Sequence, residues 1–403
     1  MYKTLKNTDV KNKRVVLRCD FNVPIKDGII LDDSKIRASL ETINYLIENN
    51  CKIVILSHFG KVKTQDDKYK NSLVPVYNRL KELLKREIYF SKETRAVNLY
   101  MQVETLLPKD VLLLENTRFE DLNGNLESGC DPQLSMYWAS LCDVFVMDAF
   151  ASSHRKHAST YGISKYVPSC IGFLVEKELL TLNKFVINAK KPLTVVMGGA
   201  KIEDKIKLIE NFLEKCDYLL LTGGIANTFL KVLNINIGAS LASKNPQILE
   251  KVKEILLNYR EKIMLPLDVI VANTYDKNYV KYKRLNELDT DDIILDCGNK
   301  TIEKYKMAID NSNTVFVNGT MGKYEDQRFS NGTKEFLRVL SESDKIVVVG
   351  GGDSVSAVNN FGYTESFTYL SSGGGATLEY LTTSDLPGLS GIDEDDEVEV
   401  LDM

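Results

Sequence analysis

At roughly 150 residues per domain, a chain of 403 residues should hold two or three domains. With 44% hydrophobic and 27% charged residues and only 9 Pro, it is composed as a globular protein, which excludes disordered, collagen-like and mucin-like chains. Net charge is 51 − 56 = −5, but seven of the acids lie in Gly391–Met403; the body, 51 against 49, lacks the basic surplus of a nucleic-acid binder.

The seven Cys (19, 51, 130, 142, 170, 216 and 297) are odd in number and scattered, with no CxxC pair. That predicts reduced thiols in a cytoplasmic protein rather than a disulfide scaffold or a zinc finger. The opening MYKTLKNTDVKNKRVV has no apolar signal core. No apolar run reaches the ~18 residues of a membrane span, so a cytosolic protein with no membrane partner is expected.

Short β-branched runs alternate with segments of helical period. Strands are predicted at RVVLRCDF (14–21), KIVILSH (52–58), VLLLENTRF (111–119) and VFVMDAF (144–150). Five more follow at LTVVMGG (193–199), DYLLLTGG (217–224), IMLPLDVIVA (263–272), TVFVNG (314–319) and KIVVVGGG (345–352). Continuous rather than alternating apolar character predicts parallel sheets covered on both faces. Amphipathic stretches such as 34–49 and 301–311 supply the helices of a βαβα rhythm. The long helical segment 173–190 splits the strands into two sheets, with an eight-stranded barrel as the alternative.

Ligands of open α/β sheets bind beyond the carboxyl ends of the strands. In the first half those ends deliver Asp20-Phe21-Asn22, Ser57-His58, Arg118, and Asp148 followed by His154-Arg155; in the second, Gly198-Gly199, Gly223-Gly224, Asn318-Gly319 and Gly350-Gly351-Gly352-Asp353. The second set suits nucleotide phosphates, because glycine lets backbone N–H groups approach an anion at a helix start. There Asp353 is placed for Mg²⁺, the plain alternative being a tight turn with a capping Asp. Neither GxxxxGK[ST] nor GxGxxG occurs, which disfavours a P-loop protein and a dehydrogenase.

The first set suits a small anion: all three His (58, 154 and 157) lie there with Arg118 and Arg155, and Arg37 on the next helix is expected to face the same crevice. Metal binding by His154 and His157 lacks a third ligand nearby, and no nucleophile with His and acid partners is evident. Lys201 and Lys205, four apart, are read as one face of a helix start holding a polyphosphate, with neutralisation by Glu203 and Asp204 as the alternative. Two α/β domains, one for an anion and one for a Mg-nucleotide, predict phosphoryl transfer.

VVLRCDFNVP (15–24), ILSHFGK (55–61), LLLENTRF (112–119), DAFASSHRKHAS (148–159), GFLVEKEL (172–179), GGAKIEDKI (198–206), TGGIANTFL (222–230), LDCGNKT (295–301), NGTMGKYE (318–325), GGGDSVSAV (350–358) and SSGGGATLE (371–379) then follow in order. With them the chain closely resembles the phosphoglycerate kinases up to about residue 388. The resemblance implies two Rossmann-like parallel-sheet domains (three-layer α/β/α) joined by a helix and hinge. These would be a 3-phosphoglycerate domain at 1–172, to which 380–403 returns, an interdomain helix at 173–190, and a Mg-nucleotide domain at 191–379. It implies reversible transfer between MgATP and 3-phosphoglycerate in glycolysis by a monomer that closes over its substrates. A non-catalytic, metabolite-binding relative is the alternative.

Carried over by position, the substrate site would comprise Asp20, Phe21, Asn22, Arg37, His58, Phe59, Gly60, Lys61, Arg118, His154 and Arg155. Arg37, Lys201 and Gly374 would serve transfer. Lys205, Asn318, Glu325, Gly350, Gly351, Gly352, Asp353 and Ser354 would hold the nucleotide, with Asp353 on Mg²⁺. Lys61 stands where many relatives have Arg, and Val317, Thr320, Asn299 and Thr222 depart from the family pattern on the adenine side. The acidic end has no counterpart in it and is expected to be a solvated tail, or an arm that reaches for the basic site.

Overall fold

The structure, a computed structural model, describes residues 2–122, 124–276 and 278–395. Most of the acidic end therefore lies outside the described residues. The chain divides into two compact units, one running to Leu180 and resuming at Thr383, the other spanning Thr181–Thr382.

The first unit is built on six parallel strands, in spatial order Tyr89–Ser91, Val111–Leu114, Lys52–Leu56, Arg14–Cys19, Val144–Asp148 and Ser169–Ile171. Val111–Leu114 and Val144–Asp148 are buried along their whole length, as a sheet covered on both faces demands. Arg18 is wholly buried within Arg14–Cys19, whereas Arg14 at the strand's start is only partly buried. The helix Phe173–Leu182 starts where the Asp148 carboxylate accepts from Leu174 N–H (2.9 Å) and Val175 N–H (3.3 Å), capping donors that no helical carbonyl reaches. The C-terminal segment joins this unit: Lys3 N–H donates to the Asp393 carbonyl at 2.7 Å, and Gly388 N–H to that of Ser153 at 2.6 Å.

The second unit repeats the plan with Ile263–Met264, Tyr218–Leu221, Leu193–Met197, Thr314–Asn318, Ile346–Val349 and Tyr369–Leu370 in one parallel sheet. The fold is therefore α/β with two Rossmann-like parallel sheets, and the barrel is excluded.

Four local expectations fail. The run 263–272 is two strands: Ile263–Met264 edges the parallel sheet, while Asp268–Asn273 pairs antiparallel with Lys281–Arg284 and Asp292–Cys297. Pro266 between them has no N–H to offer a ladder. The amphipathic stretch 34–49 is divided at buried Ser39, whose N–H takes the tighter bond to the Ile36 carbonyl (3.2 Å), leaving helices Ser34–Ala38 and Leu40–Glu48. Lys201 lies outside the helix, which runs from Ile206 to Lys215; residues 202–205 form a turn anchored by buried Ile202 and closed by Lys205 N–H on its carbonyl (2.9 Å). The edge strands Tyr89–Ser91, Ser169–Ile171 and Tyr369–Leu370 have too few residues to show a period.

Candidate functional site

In the first unit the strands ending at Leu114, Leu56, Cys19 and Asp148 are neighbours, so their following loops gather along one rim of the sheet. Side-chain and backbone hydrogen bonds stitch three of those loops together. Phe21 N–H donates to Ser57 Oγ (2.9 Å), Gly60 N–H to Asn22 Oδ1 (3.1 Å), and Thr117 N–H to the Ser57 carbonyl (3.0 Å). Buried Asn116 is the knot: its Oδ1 accepts from Phe59 and Arg118 N–H, both at 3.0 Å, and its Nδ2 donates to the Phe59 carbonyl at 2.6 Å.

On this frame sits a cluster of cations with few acids. Asp20 is buried and accepts from Lys35 Nζ at 2.8 Å and Asn22 N–H at 3.1 Å. Burial works to raise its carboxyl, but the Lys35 ammonium, with the Asn22 N–H, holds it below the ordinary value. Arg118 is largely buried and pairs with Asp121 at 2.8 Å through Nη1, while its Nε and Thr117 Oγ1 are buried with no protein partner among the described residues. Ser152 Oγ, on the loop after Val144–Asp148, is in the same state. Buried polar atoms are normally satisfied, and these unmet ones lie at the strand-end rim. Arg155 and Lys61 are exposed.

The three histidines are held neutral. Burial pulls His58 and His157 down to about 3, and His154 is lowered by burial and then by Arg155. A neutral imidazole still donates one N–H, so the set offers anion-binding donors and no general acid poised near neutrality.

Arg37 does not join this cluster. Its Nε donates to Asp33 at 2.8 Å, and Asp33 also takes Arg79 through Nε at 2.8 Å and Nη2 at 2.7 Å. Two residues apart on a helix means about 200° apart around its axis, so when Lys35 turns to Asp20, Arg37 turns away. That correction was available from the helix arithmetic. Arg18, Glu127, Ser159 and Asn116 were also missed; only Arg18, a cation inside an apolar run, left a sequence signal.

In the second unit the rim is made of backbone. Gly319, at φ 127°, lies so close to Gly198 that an added Cβ would stand 2.4 Å from the Gly198 Cα. Gly351, at φ 95°, precedes the helix Gly352–Asn360, which carries Asp353 in its exposed first turn. Ser354 Oγ accepts from Gly319 N–H at 2.7 Å, and Asn318 Nδ2 donates to the Gly350 carbonyl at 2.8 Å, joining two strand ends. Lys205 Nζ reaches back to the Gly198 carbonyl (2.6 Å); burial lowers it to about 8, against the pull of Asp353. Lys201 is exposed, and Glu203 accepts from Ser243 Oγ at 2.5 Å rather than pairing with a lysine. The departing residues Thr222 and Thr320 bond each other, Thr222 Oγ1 to the Thr320 carbonyl at 2.8 Å. Glu325 is exposed, and Gly374, at φ 52°, leads into the helix Gly375–Thr383.

Among the described residues no three His, Cys, Asp or Glu gather into a metal cage. A lone carboxylate fits Mg²⁺, which keeps waters and takes ligands from substrate phosphates.

A family model described as phosphoglycerate kinase matches residues 5–384. Curated phosphoglycerate kinases from Macrococcus caseolyticus and Lacticaseibacillus casei are 42% and 44% identical, over 97% and 96% of this chain and 99% and 98% of theirs. The solved phosphoglycerate kinase of Coxiella burnetii superposes with a TM-score of 0.85 at 34% identity, covering 97% of this chain and 99% of that one. That of Pyrococcus horikoshii gives 0.82 at 30%, covering 97% and 98%.

Proposed function

Since the chain belongs to the phosphoglycerate kinase family, we propose that its first unit takes 3-phosphoglycerate on the cationic rim and its second takes MgATP on the glycine rim. The reaction is the family's reversible transfer of the ATP γ-phosphoryl group to 3-phosphoglycerate, a glycolytic step. A carboxylate oxygen of 3-phosphoglycerate forms the new O–P bond as the bond to the bridging oxygen of ADP breaks. The carboxylate is already ionised at neutral pH, so no base has to remove a proton, and the work is positioning and charge neutralisation.

The observation that carries this division is the contrast of the two rims, one of cations and neutral imidazole donors, the other of close-approach glycines with Lys205 and Asp353. Asp20, Asn22, Lys35, His58, Arg118 and Arg155 would bind the substrate, with Phe21, Phe59, Gly60, Lys61 and His154 lining it. Lys35 is offered ahead of Arg37 as the helix cation that meets the substrate, because it already stands on Asp20. Lys201 would neutralise the moving phosphoryl group, aided by the backbone at Gly374. Lys205, Asn318, Gly350–Gly352 and Ser354 would hold the phosphates and Glu325 the ribose. Asp353 would hold Mg²⁺, which offsets polyphosphate charge.

A cytoplasmic setting is supported by seven free cysteines, six of them buried. No helix among the described residues is long and apolar enough to cross a membrane. A monomer is proposed on the family pattern and is checked by light scattering.

The test is a coupled assay with MgATP, 3-phosphoglycerate, glyceraldehyde-3-phosphate dehydrogenase and NADH. NADH loss that needs both substrates and collapses in Lys201→Ala supports the reading. No NADH loss with well-folded protein overturns it.

A further inference from the structure

The least expected feature behind the cationic rim is Arg18, wholly buried inside a parallel strand. Its Nε donates to Ser159 Oγ at 2.8 Å, and Nη1 donates to the Cys19 carbonyl. Nη2 stands 3.2 Å from His58 Nδ1. Ser159 in turn donates to the wholly buried Glu127 through both its N–H (2.9 Å) and its hydroxyl, so one serine bridges a buried cation and a buried anion. Every guanidinium position is thereby aimed.

A guanidinium has donors only. The His58 Nδ1 that faces it must therefore present a lone pair, and in a neutral ring the proton is then on Nε2. A rival exists: Asp20 Oδ1 lies 4.0 Å from the same Nδ1 and would prefer a proton there. Distance decides, since 3.2 Å makes a hydrogen bond and 4.0 Å does not. Asp20 is moreover already satisfied by Lys35 and by Asn22 N–H. The charged groups facing the ring are Asp20 and Arg18 from its neighbouring strand and loop, Arg118 from the loop after Val111–Leu114, and Lys35 from the first helix; after burial, the three cations favour the neutral ring and Asp20 opposes them.

We infer that Arg18, oriented by Ser159 and Glu127, is a positioning residue that holds His58 with a bare Nδ1 and a protonated Nε2. The ring then presents one fixed N–H donor to the anionic substrate. This rests on the reading of His58 as a substrate contact; the tautomer itself does not.

With three histidines in the chain, two-bond ¹H–¹⁵N spectra of the labelled full-length protein resolve each ring, and His58→Gln assigns the signal. The expected wild-type signature is unprotonated Nδ1 and protonated Nε2, unchanged from pH 8 to pH 5. Removing both buried charges together in R18M/E127Q leaves neither ion unpaired. It should convert His58 to the Nδ1–H form or a mixture, and raise KM for 3-phosphoglycerate about tenfold with little change in kcat. Arg18→Lys should restore part of the wild-type signature. A protonated Nδ1 in the wild type, or an unaltered His58 spectrum in folded R18M/E127Q, would overturn the inference. Should that double variant not fold, the wild-type spectrum and Arg18→Lys still decide it. His58→Ala tests the other premise: an unchanged KM there, with the wild-type signature intact, would sink the substrate contact and leave the tautomer assignment standing.

Discussion

The two rims proposed to bind anions are built by opposite means. In the first unit, three neighbouring loops are cross-linked by Asn22, Ser57 and Asn116, and the charge comes from Lys35, Arg118 and Arg155. In the second, chain approaches chain so closely at Gly198 and Gly319 that no side chain fits, and the rim is backbone. A side-chain site fails when a charge is deleted and the fold survives; a backbone site fails when a Cβ is added and the fold suffers with it.

The largest effect should follow from breaking the backbone rim. Gly319→Ala puts a Cβ 2.4 Å from Gly198 at a φ of 127°, and should cost about 3 kcal/mol or more. A Cβ at Gly352 meets nothing within 4 Å, so Gly352→Ala should shift stability by less than about 0.5 kcal/mol. Denaturant unfolding of the two variants separates steric from chemical roles; equal losses would refute the close-approach account.

Next comes the deletion of a charge from the side-chain rim. Lys35→Ala should lower kcat/KM for 3-phosphoglycerate by about 100-fold, and should cost about 1–3 kcal/mol of stability because buried Asp20 loses its cation. Arg37→Ala, whose ion pair is with Asp33, should fall short of that loss. The reverse ranking would return the role to Arg37.

Acid should draw opposite signs from one buried group in each unit. His157 is buried neutral, its folded value about 3 against an ordinary 6.5, so the unfolded chain binds more protons and stability falls as pH drops below about 6.5. Asp296, in the second unit, is pushed by burial from 3.8 to about 7, so the folded chain binds more protons and stability is lost as pH rises through about 7. Each contributes a slope of at most about 1.4 kcal/mol per pH unit. His157→Gln should flatten the acid-side fall between pH 6.5 and 4, and Asp296→Asn should remove an opposing gain over the same range. Unfolding free energies at half-unit pH steps check both.

The smallest effect sharpens the side-chain rim. Lys61 is an exposed point charge, and Lys61→Arg supplies a planar fork that matches phosphate. KM for 3-phosphoglycerate should fall about threefold, with unfolding unchanged. A higher KM would mean that Lys61 does not meet the phosphate.

Much of this molecule was legible in its residues. Apolar runs such as VLLL and VFVMD are read correctly as parallel strands because burial on both faces leaves no alternation to preserve. Motifs carried on short loops directly after those runs could be located for the same reason: a strand end fixes where its next residues lie. What could not be read depends on partners distant in the chain. Lys35 and Arg37 are equally plausible cations until Asp20 and Asp33 stand on opposite sides of their helix. Pro266 splits a run whose halves join different sheets, which only the available neighbours decide. Arg18 reads as an oddity in a strand; that it meets Ser159 and His58, 141 and 40 residues away, was settled by the order of strands in the sheet. Local pattern is a property of consecutive residues and is determined by the sequence alone. Hydrogen-bond partners and protonation states depend on which distant groups share a low-dielectric interior, and those the tertiary structure decides.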